Sequence, residues 1–466
     1  MNIFRQIDFD DKKPKFISKG GFFSYSNLFE EIKKFNLNSE IKSLAFIISE
    51  NSYECLSGYC ALSYNNFSVG LIENSTDKNV VYNILNRFKP LYVYQPNYSD
   101  YRNDWKPIHK LGHYVLYKTS FSIDYEINEN LSTLIMTSGS TGCPEFVRLS
   151  YENIYDNTKN ICKYLKVNKN DRAITTLPMS YSYGLSIINT HLFSNSSIVL
   201  TKQSFMQNKI WTMINDFSVT TFGGVPYIFE ILKRLNFDTL NMKTVKYITQ
   251  AGGKLNSGLE TYLYDACRKK NIKFFIMYGQ AEASPRMSYL PYKMLSKKRN
   301  SIGIPIPNGK LSLADENGKI IKNVGQEGEL VYSGANVCLG YALNAYDLNN
   351  GDLNNGILKT GDLAIFDEDG YFYITGRKKR FVKIFGNRIS LDYVEQSLYN
   401  QGVECVCVGN DDLKIKVFTI NKKNIQKINI YFKKTLKLNK SYFDCHLIDF
   451  IPRNQSGKIL YSKLKI

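Results

Sequence analysis

Between about residues 130 and 280, short β-branched and aromatic runs alternate with longer amphipathic ones, and few architectures accommodate that alternation. Residues 131–137 read as a strand. Residues 151–165 carry Ile154, Ile161 and Leu165 at a spacing that makes one helix face. Further strands are predicted at 173–177, 219–222, 245–249 and 274–278, with helices at 185–193, 226–235 and 259–270. Strands and helices in such succession bury their apolar surfaces by laying helices on a sheet, so the predicted class is α/β and layered. The first 130 residues repeat the pattern more weakly. After about residue 300, turns such as Asp315-Glu-Asn-Gly318 and Asp367-Glu-Asp-Gly370 separate short β runs. The C-terminal stretch reads as a small α+β unit, with strands at 403–409 and 414–420 and a helix at 424–436.

A chain of 466 residues with 43% apolar residues can bury two to three packed units. No apolar run reaches the ~20 residues of a membrane helix. The first ten residues carry acids where a secretory signal would be apolar, so a soluble cytoplasmic protein is expected. The nine cysteines are odd in number and scattered. Cys405 and Cys407, the closest pair, are expected on opposite faces of a strand. The lack of a C-x-x-C pair and only four histidines argue against structural zinc, which leaves free thiols. The net charge of +18 fits compositional drift, an acidic partner or nucleic acid. The lysines are spread along the chain among Asn, Tyr and Ile, which disfavours nucleic acid.

One segment points to chemistry. In Leu134-Ile-Met-Thr137-Ser138-Gly139-Ser140-Thr141-Gly142-Cys143-Pro144 an apolar strand runs into six consecutive Ser, Thr or Gly residues. Glycines let successive N–H groups turn into one hollow, and hydroxyls add donors at its rim, which suits phosphate oxygens. No Lys follows Gly142, so this is not the common P-loop. Taken alone, the segment fits a phosphate nest or a plain surface turn.

Residues 137–144 resemble the phosphate loop of the adenylate-forming superfamily: acyl-CoA synthetases, peptide-synthetase adenylation domains and luciferase. Further motifs follow in that family's order. Tyr278-Gly279-Gln280-Ala281-Glu282 is similar to its Tyr-Gly-x-Thr-Glu segment; the resemblance implies that Tyr278 stacks near adenine and that Glu282 holds Mg²⁺ at the phosphates of ATP. Gln250-Ala251-Gly252-Gly253 is similar to the segment that packs against adenine and the acyl group. Lys359-Thr-Gly-Asp362 and Gly376-Arg377 resemble the ribose contacts. Pro452-Arg-Asn-Gln-Ser-Gly457-Lys458 resembles the motif of the catalytic lysine. The stretch from Gly376 to Ile389 looks like the hinge, with Lys379 at the pivot and Gly386 and Arg388 shaping a thiol tunnel. The implied fold is a large N-terminal ATP- and acyl-binding domain, 1–376, built from two α/β subdomains and a β-rich distorted barrel. A small mobile α+β domain, 377–466, follows. Two departures stand out: Ala281 replaces the usual Thr, and Glu145 follows Pro144 where the family carries Lys.

The resemblance places an acyl pocket at Tyr181, Tyr183, Gly184, Phe222, Gly223, Val225 and Gln250. No acid lies between Leu177 and Thr201, so a substrate ammonium would find no partner there. An uncharged acyl or hydroxy-acyl group is therefore expected rather than an α-amino acid. The implied reaction joins AMP to a small carboxylic acid and passes the acyl group to coenzyme A or to the phosphopantetheine of an acidic carrier protein. No nucleic-acid partner and no membrane span are expected. The combined wording of 377–388, Ser288-Tyr-Leu-Pro291 and 457–461 is most similar to compact synthetases of bacterial surface-polysaccharide clusters. The competing expectation, motivated by Glu145 and Ala281, is a nucleotide-binding protein that kept the fold with little or no turnover.

Overall fold

A computed structural model describes residues 2–35, 37, 41–99, 104–138, 144–378, 380–384, 387–409, 414–453 and 459–464; at Ser138, Phe381, Lys383, Asn387, Arg388 and Ser462 it describes the backbone alone. Among these residues the strands form sheets of nine, eight, five, three and two members.

The strands Leu44–Ser49, Ser68–Glu73 and Leu131–Ser138 run parallel as neighbours in the eight-stranded sheet. All six residues of Leu44–Ser49 are buried. Such a strand meets apolar matter on both faces and shows no alternation, which explains the weak pattern before residue 130. The helix Tyr53–Tyr64 between the first two strands is buried nearly all round and starts at Ser52, whose hydroxyl accepts from the Cys55 N–H.

In the nine-stranded sheet, Arg172–Ile174, Thr221–Gly224, Tyr247–Gln250 and Lys273–Gly279 are parallel neighbours. Side chains alternate between its faces. Phe222, Ile248, Phe274 and Ile276 pack with Phe229, Leu232, Leu259 and Leu263 of the helices Pro226–Arg234 and Ser257–Lys269. Tyr247, Phe275 and Met277 point the other way, to Tyr183 of the helix Ser182–Phe193 and Tyr164 of the helix Tyr151–Leu165. That last helix opens with a reciprocal cap: the Ser150 hydroxyl accepts from the Asn153 N–H at 3.0 Å and the Asn153 side chain accepts from the Ser150 N–H at 2.8 Å.

The expected β-rich portion contains a five-stranded antiparallel sheet whose last two strands are Ile357–Phe366 and Phe372–Arg377. Beyond it, Val382, Ile384, Leu391, Val394, Cys407, Val417 and Phe432 share a core of their own.

Some boundaries differ from the expected ones. The strand expected at 173–177 ends at Ile174. The helix expected at 424–436 begins at Lys422, because the Asn421 side chain accepts from the Lys423 N–H, and its last turn widens over Tyr431–Thr435. The expectation for Cys405 and Cys407 was wrong. Residues two apart on a strand share a face, and both thiols sit in one core. Among the described residues no helix is long and apolar enough to cross a membrane.

Candidate active site

Because Thr221–Gly224, Tyr247–Gln250 and Lys273–Gly279 run parallel side by side, their C-terminal ends share one edge of the sheet. The segments 222–226, 250–253 and 278–282 all begin there. Crevices at such strand ends are where open α/β sheets receive ligands.

Asp362 lies opposite Arg377 in the ladder and is only 3% exposed. Its Oδ1 is 3.1 Å from Arg377 Nε, and its Oδ2 accepts from Gln280 Nε2 at 3.1 Å and from the Tyr278 hydroxyl. Gln280 Nε2 also donates to the Thr360 carbonyl at 3.0 Å. Burial, and then the Asp362 carboxylate, push the Tyr278 phenol well above its usual range. One carboxylate thus ties the segment 278–280 to the distant hairpin that carries Asp362 and Arg377. Arg377 is exposed, so water screens its half of the ion pair.

Glu282 sits on the turn Ala281–Ala283. Its Oε1 accepts from the Tyr341 hydroxyl at 2.7 Å, and its carbonyl accepts from the Cys338 N–H at 2.8 Å. Burial, then Glu282, raise the Tyr341 phenol. Tyr341 lies in Gly340–Ala342, which pairs with Pro144–Ser150, so Glu282 faces the hairpin that carries the Ser/Thr/Gly loop. Arg148, fully buried, fixes this junction. It donates to the carbonyls of Leu339 at 2.8 Å, Tyr341 at 3.1 Å and Gly351 at 3.1 Å, and to that of Asn350.

Of the hairpin itself, the Thr137 hydroxyl donates to the Glu145 carbonyl at 3.4 Å, and Ser138 pairs with Pro144. Gly139, Ser140, Thr141 and Gly142 lie outside the described residues, as do Lys379, Gly386 and Lys458. Ala281 packs against the large core.

Of the residues expected to line an acyl pocket, Tyr183 and Val225 share one apolar cluster with Ala251, and Tyr181 lies at its margin. The Tyr183 hydroxyl donates to the Thr249 carbonyl at 2.8 Å. Burial pushes the Tyr181 phenol up to about 12. Gly252 lies against Tyr181, where a Cβ would stand 2.6 Å from the Tyr181 hydroxyl. Gln250 is buried and its Nε2 donates to the Gly253 carbonyl at 2.7 Å, so it shapes the turn. Two expected pocket residues are placed differently. The Phe222 ring packs 5.1 Å from that of Phe205, in the core on the other face. Gly184 is glycine for packing, since a Cβ would come within 2.2 Å of the Pro178 carbonyl.

Sequence reasoning missed Tyr341, Arg148 and Arg286. Arg286 opens the strand Arg286–Leu290 beside Lys273–Gly279 and is 2% exposed. A lone cation in the run Ser-Pro-Arg-Met-Ser-Tyr-Leu was the available signal. Among the described residues no group of three or more His, Cys, Asp or Glu could cage a metal.

The chain is 26% identical over 287 residues to a feruloyl-CoA synthase of Amycolatopsis, a match that spans 61% of this chain and 57% of the relative. It is 26% identical over 342 residues to the 2-succinylbenzoate–CoA ligase of Bacillus subtilis, covering 72% of this chain and 68% of that one. The fold matches that of the o-succinylbenzoate CoA synthetase MenE from Bacillus subtilis, solved with its acyl-adenylate intermediate, with a TM-score of 0.79 at 20% identity over 100% of this chain and 98% of that one. The family model described as AMP-binding enzyme matches residues 77–342, more than half of the sequence, and the chain therefore belongs to the AMP-binding enzyme family.

Proposed function

We propose that this chain activates a small carboxylic acid with ATP and then hands the acyl group to a thiol. In the first step a carboxylate oxygen bonds to the α-phosphorus and the bond to pyrophosphate breaks. In the second, a thiolate sulfur bonds to the acyl carbon and AMP leaves. The observation that carries this reading is the buried Asp362 carboxylate, held by Arg377, Gln280 and Tyr278 at the ends of the parallel strands. Two acceptor oxygens beside an aromatic ring match a ribose diol and a base.

Glu282 suits a hard cation: one oxygen is oriented by Tyr341, and the other has no hydrogen bond among the described residues. A single carboxylate plus phosphate oxygens is the usual setting of Mg²⁺, which when bound would offset the phosphate charge. Thr137, the loop that follows it and Gly252–Gly253 line the nucleotide side in this reading, and Lys458 brings a cation to the α-phosphate as charge builds there. Residues 377–466 then move about Lys379, bringing Gly386 and Arg388 to the thiol path; their separate core supports this. The relatives' names favour coenzyme A as acceptor. The net charge of +18 also suits the phosphopantetheine arm of an acidic carrier protein. We read the chain as cytoplasmic and, from the wording of 377–388, as close to synthetases of surface-polysaccharide clusters.

ATP–pyrophosphate exchange over a panel of acids tests the reading. Lys458→Ala should lower exchange on the order of 10²–10³-fold. Lys379→Pro should spare exchange and block thioester formation. ATP binding without exchange for any acid would instead favour the nucleotide binder that Glu145 and Ala281 suggest.

A further inference from the structure

Near the C-terminus the chain leaves and rejoins its own core at one point. The Leu460 N–H donates to the Pro452 carbonyl at 2.8 Å, and Arg453 pairs antiparallel with Ile459. On either side, Ile451, Ile459 and Tyr461 pack with Val406, Phe418 and Leu464. The base of this hairpin is therefore fixed to the C-terminal unit, and Arg453 stands at the base.

Its guanidinium turns toward the large sheet. Arg453 Nη2 is 3.7 Å from Glu404 Oε1, and the guanidinium carbon is 5.7 Å from the centroid of the Tyr227 ring. Tyr227 is the second residue of the helix Pro226–Arg234, which starts where the strand Thr221–Gly224 ends, at the edge on which the candidate site opens. Tyr227, Glu230 and Arg234 recur three and four residues apart, so they form one stripe of that helix. Burial raises the Glu230 carboxyl; Arg453 and Arg234 pull it down and Glu404 pushes it up. The Tyr399 phenol, on the helix Leu391–Asn400, is raised by burial and feels the same four charges. Each side of the seam thus contributes one glutamate and one arginine, an arrangement that fixes how the two parts meet. A polar seam of this kind belongs to a contact that can open, whereas a permanent one would be apolar.

We infer that Arg453 is a positioning residue: by docking on the stripe Tyr227, Glu230 and Arg234, it holds the base of the hairpin at the mouth of the candidate site during adenylation. This rests on the adenylating reading above, in which Lys458 follows Arg453 by five residues, within about 17 Å of chain. The contact exists only while the two parts are docked. It therefore raises the population of the arrangement that exchanges pyrophosphate and adds nothing to the second step, for which residues 377–466 move away.

The test measures the half-reactions apart, with an acid that the parent exchanges. ATP–pyrophosphate exchange reports the first, and thioester formation from supplied acyl-AMP with coenzyme A or pantetheine reports the second. Arg453→Met should lower exchange about tenfold, the combined loss of a cation–π contact and a solvent-screened charge pair. It should leave thioester formation within about twofold of the parent. Arg453→Lys, which keeps the charge, should recover part of the exchange. Glu230→Gln, across the seam, should lower exchange about threefold alone and by less in the Arg453→Met background, because the two act through one contact. It carries the same half-reaction test should Arg453→Met fail to fold. Equal losses in both half-reactions, or exchange unchanged in Arg453→Met, overturns the inference and leaves the adenylating reading intact. A parent that exchanges with no acid removes both.

Discussion

Two buried arginines are satisfied in opposite ways. Arg148 spends its donors on four backbone carbonyls and clamps Gly340–Ala342 to Pro144–Ser150. Arg286 has a hydroxyl, a thioether and an aromatic face, with Nε making no hydrogen bond among the described residues. Burial alone therefore does not say how firmly a cation is tied into the fold; the count of satisfied donors does.

The sharpest way to break this contrast is to remove each cation and measure stability by urea unfolding. Arg148→Met leaves four carbonyls without their donor and should cost about 3–5 kcal/mol. Arg286→Met removes an unpaired charge and should stay within about 1 kcal/mol of the parent, or exceed it. Equal losses would mean that Arg286 is as structural as Arg148. A smaller effect is expected at Tyr341, which links the Arg148 clamp to Glu282. Tyr341→Phe should raise the Mg²⁺ concentration needed for half-maximal exchange about three- to tenfold, with the fold intact, since it deletes one hydrogen bond to a charged group. An unchanged Mg²⁺ requirement would detach Tyr341 from the site.

The smallest effect concerns pH at the buried His191 of the helix Ser182–Phe193. Burial lowers the His191 pKa below its ordinary 6.5, against the opposing pull of the Ile187 carbonyl and Asp171. The unfolded chain then binds more protons than the folded one as pH falls through 6.5, so acid destabilises the protein in that window and stability recovers above it. His191→Gln should flatten the slope by no more than about 1.4 kcal/mol per pH unit. An unchanged slope in unfolding experiments between pH 7.5 and 5.5 would show that the imidazole does not titrate there.

Much of the fold was legible before any coordinates. The segment 151–165 and the helix starting at Pro226 were readable because each has one apolar face and a local start signal, a capping Ser150 or a proline at the first turn. The strand Leu44–Ser49 and the helix Tyr53–Tyr64 were nearly silent, because an element buried on all sides has no polar face to set its period. At the site, the contiguous motifs were legible for the same local reason: a Gly-rich turn after an apolar strand declares itself within ten residues.

By itself, then, the sequence determined the layered α/β class, the order of its motifs and the chemistry those motifs resemble, all of which reside in short windows of chain. Only the tertiary structure decided that Asp362 would lie against Gln280 and Tyr278, that Tyr341 would steady Glu282, and that Arg286 would be buried with no carboxylate partner among the described residues. Those pairings join residues that are mostly distant in the chain. Distances of that kind are set by sheet register and burial, which no local pattern of residue types encodes.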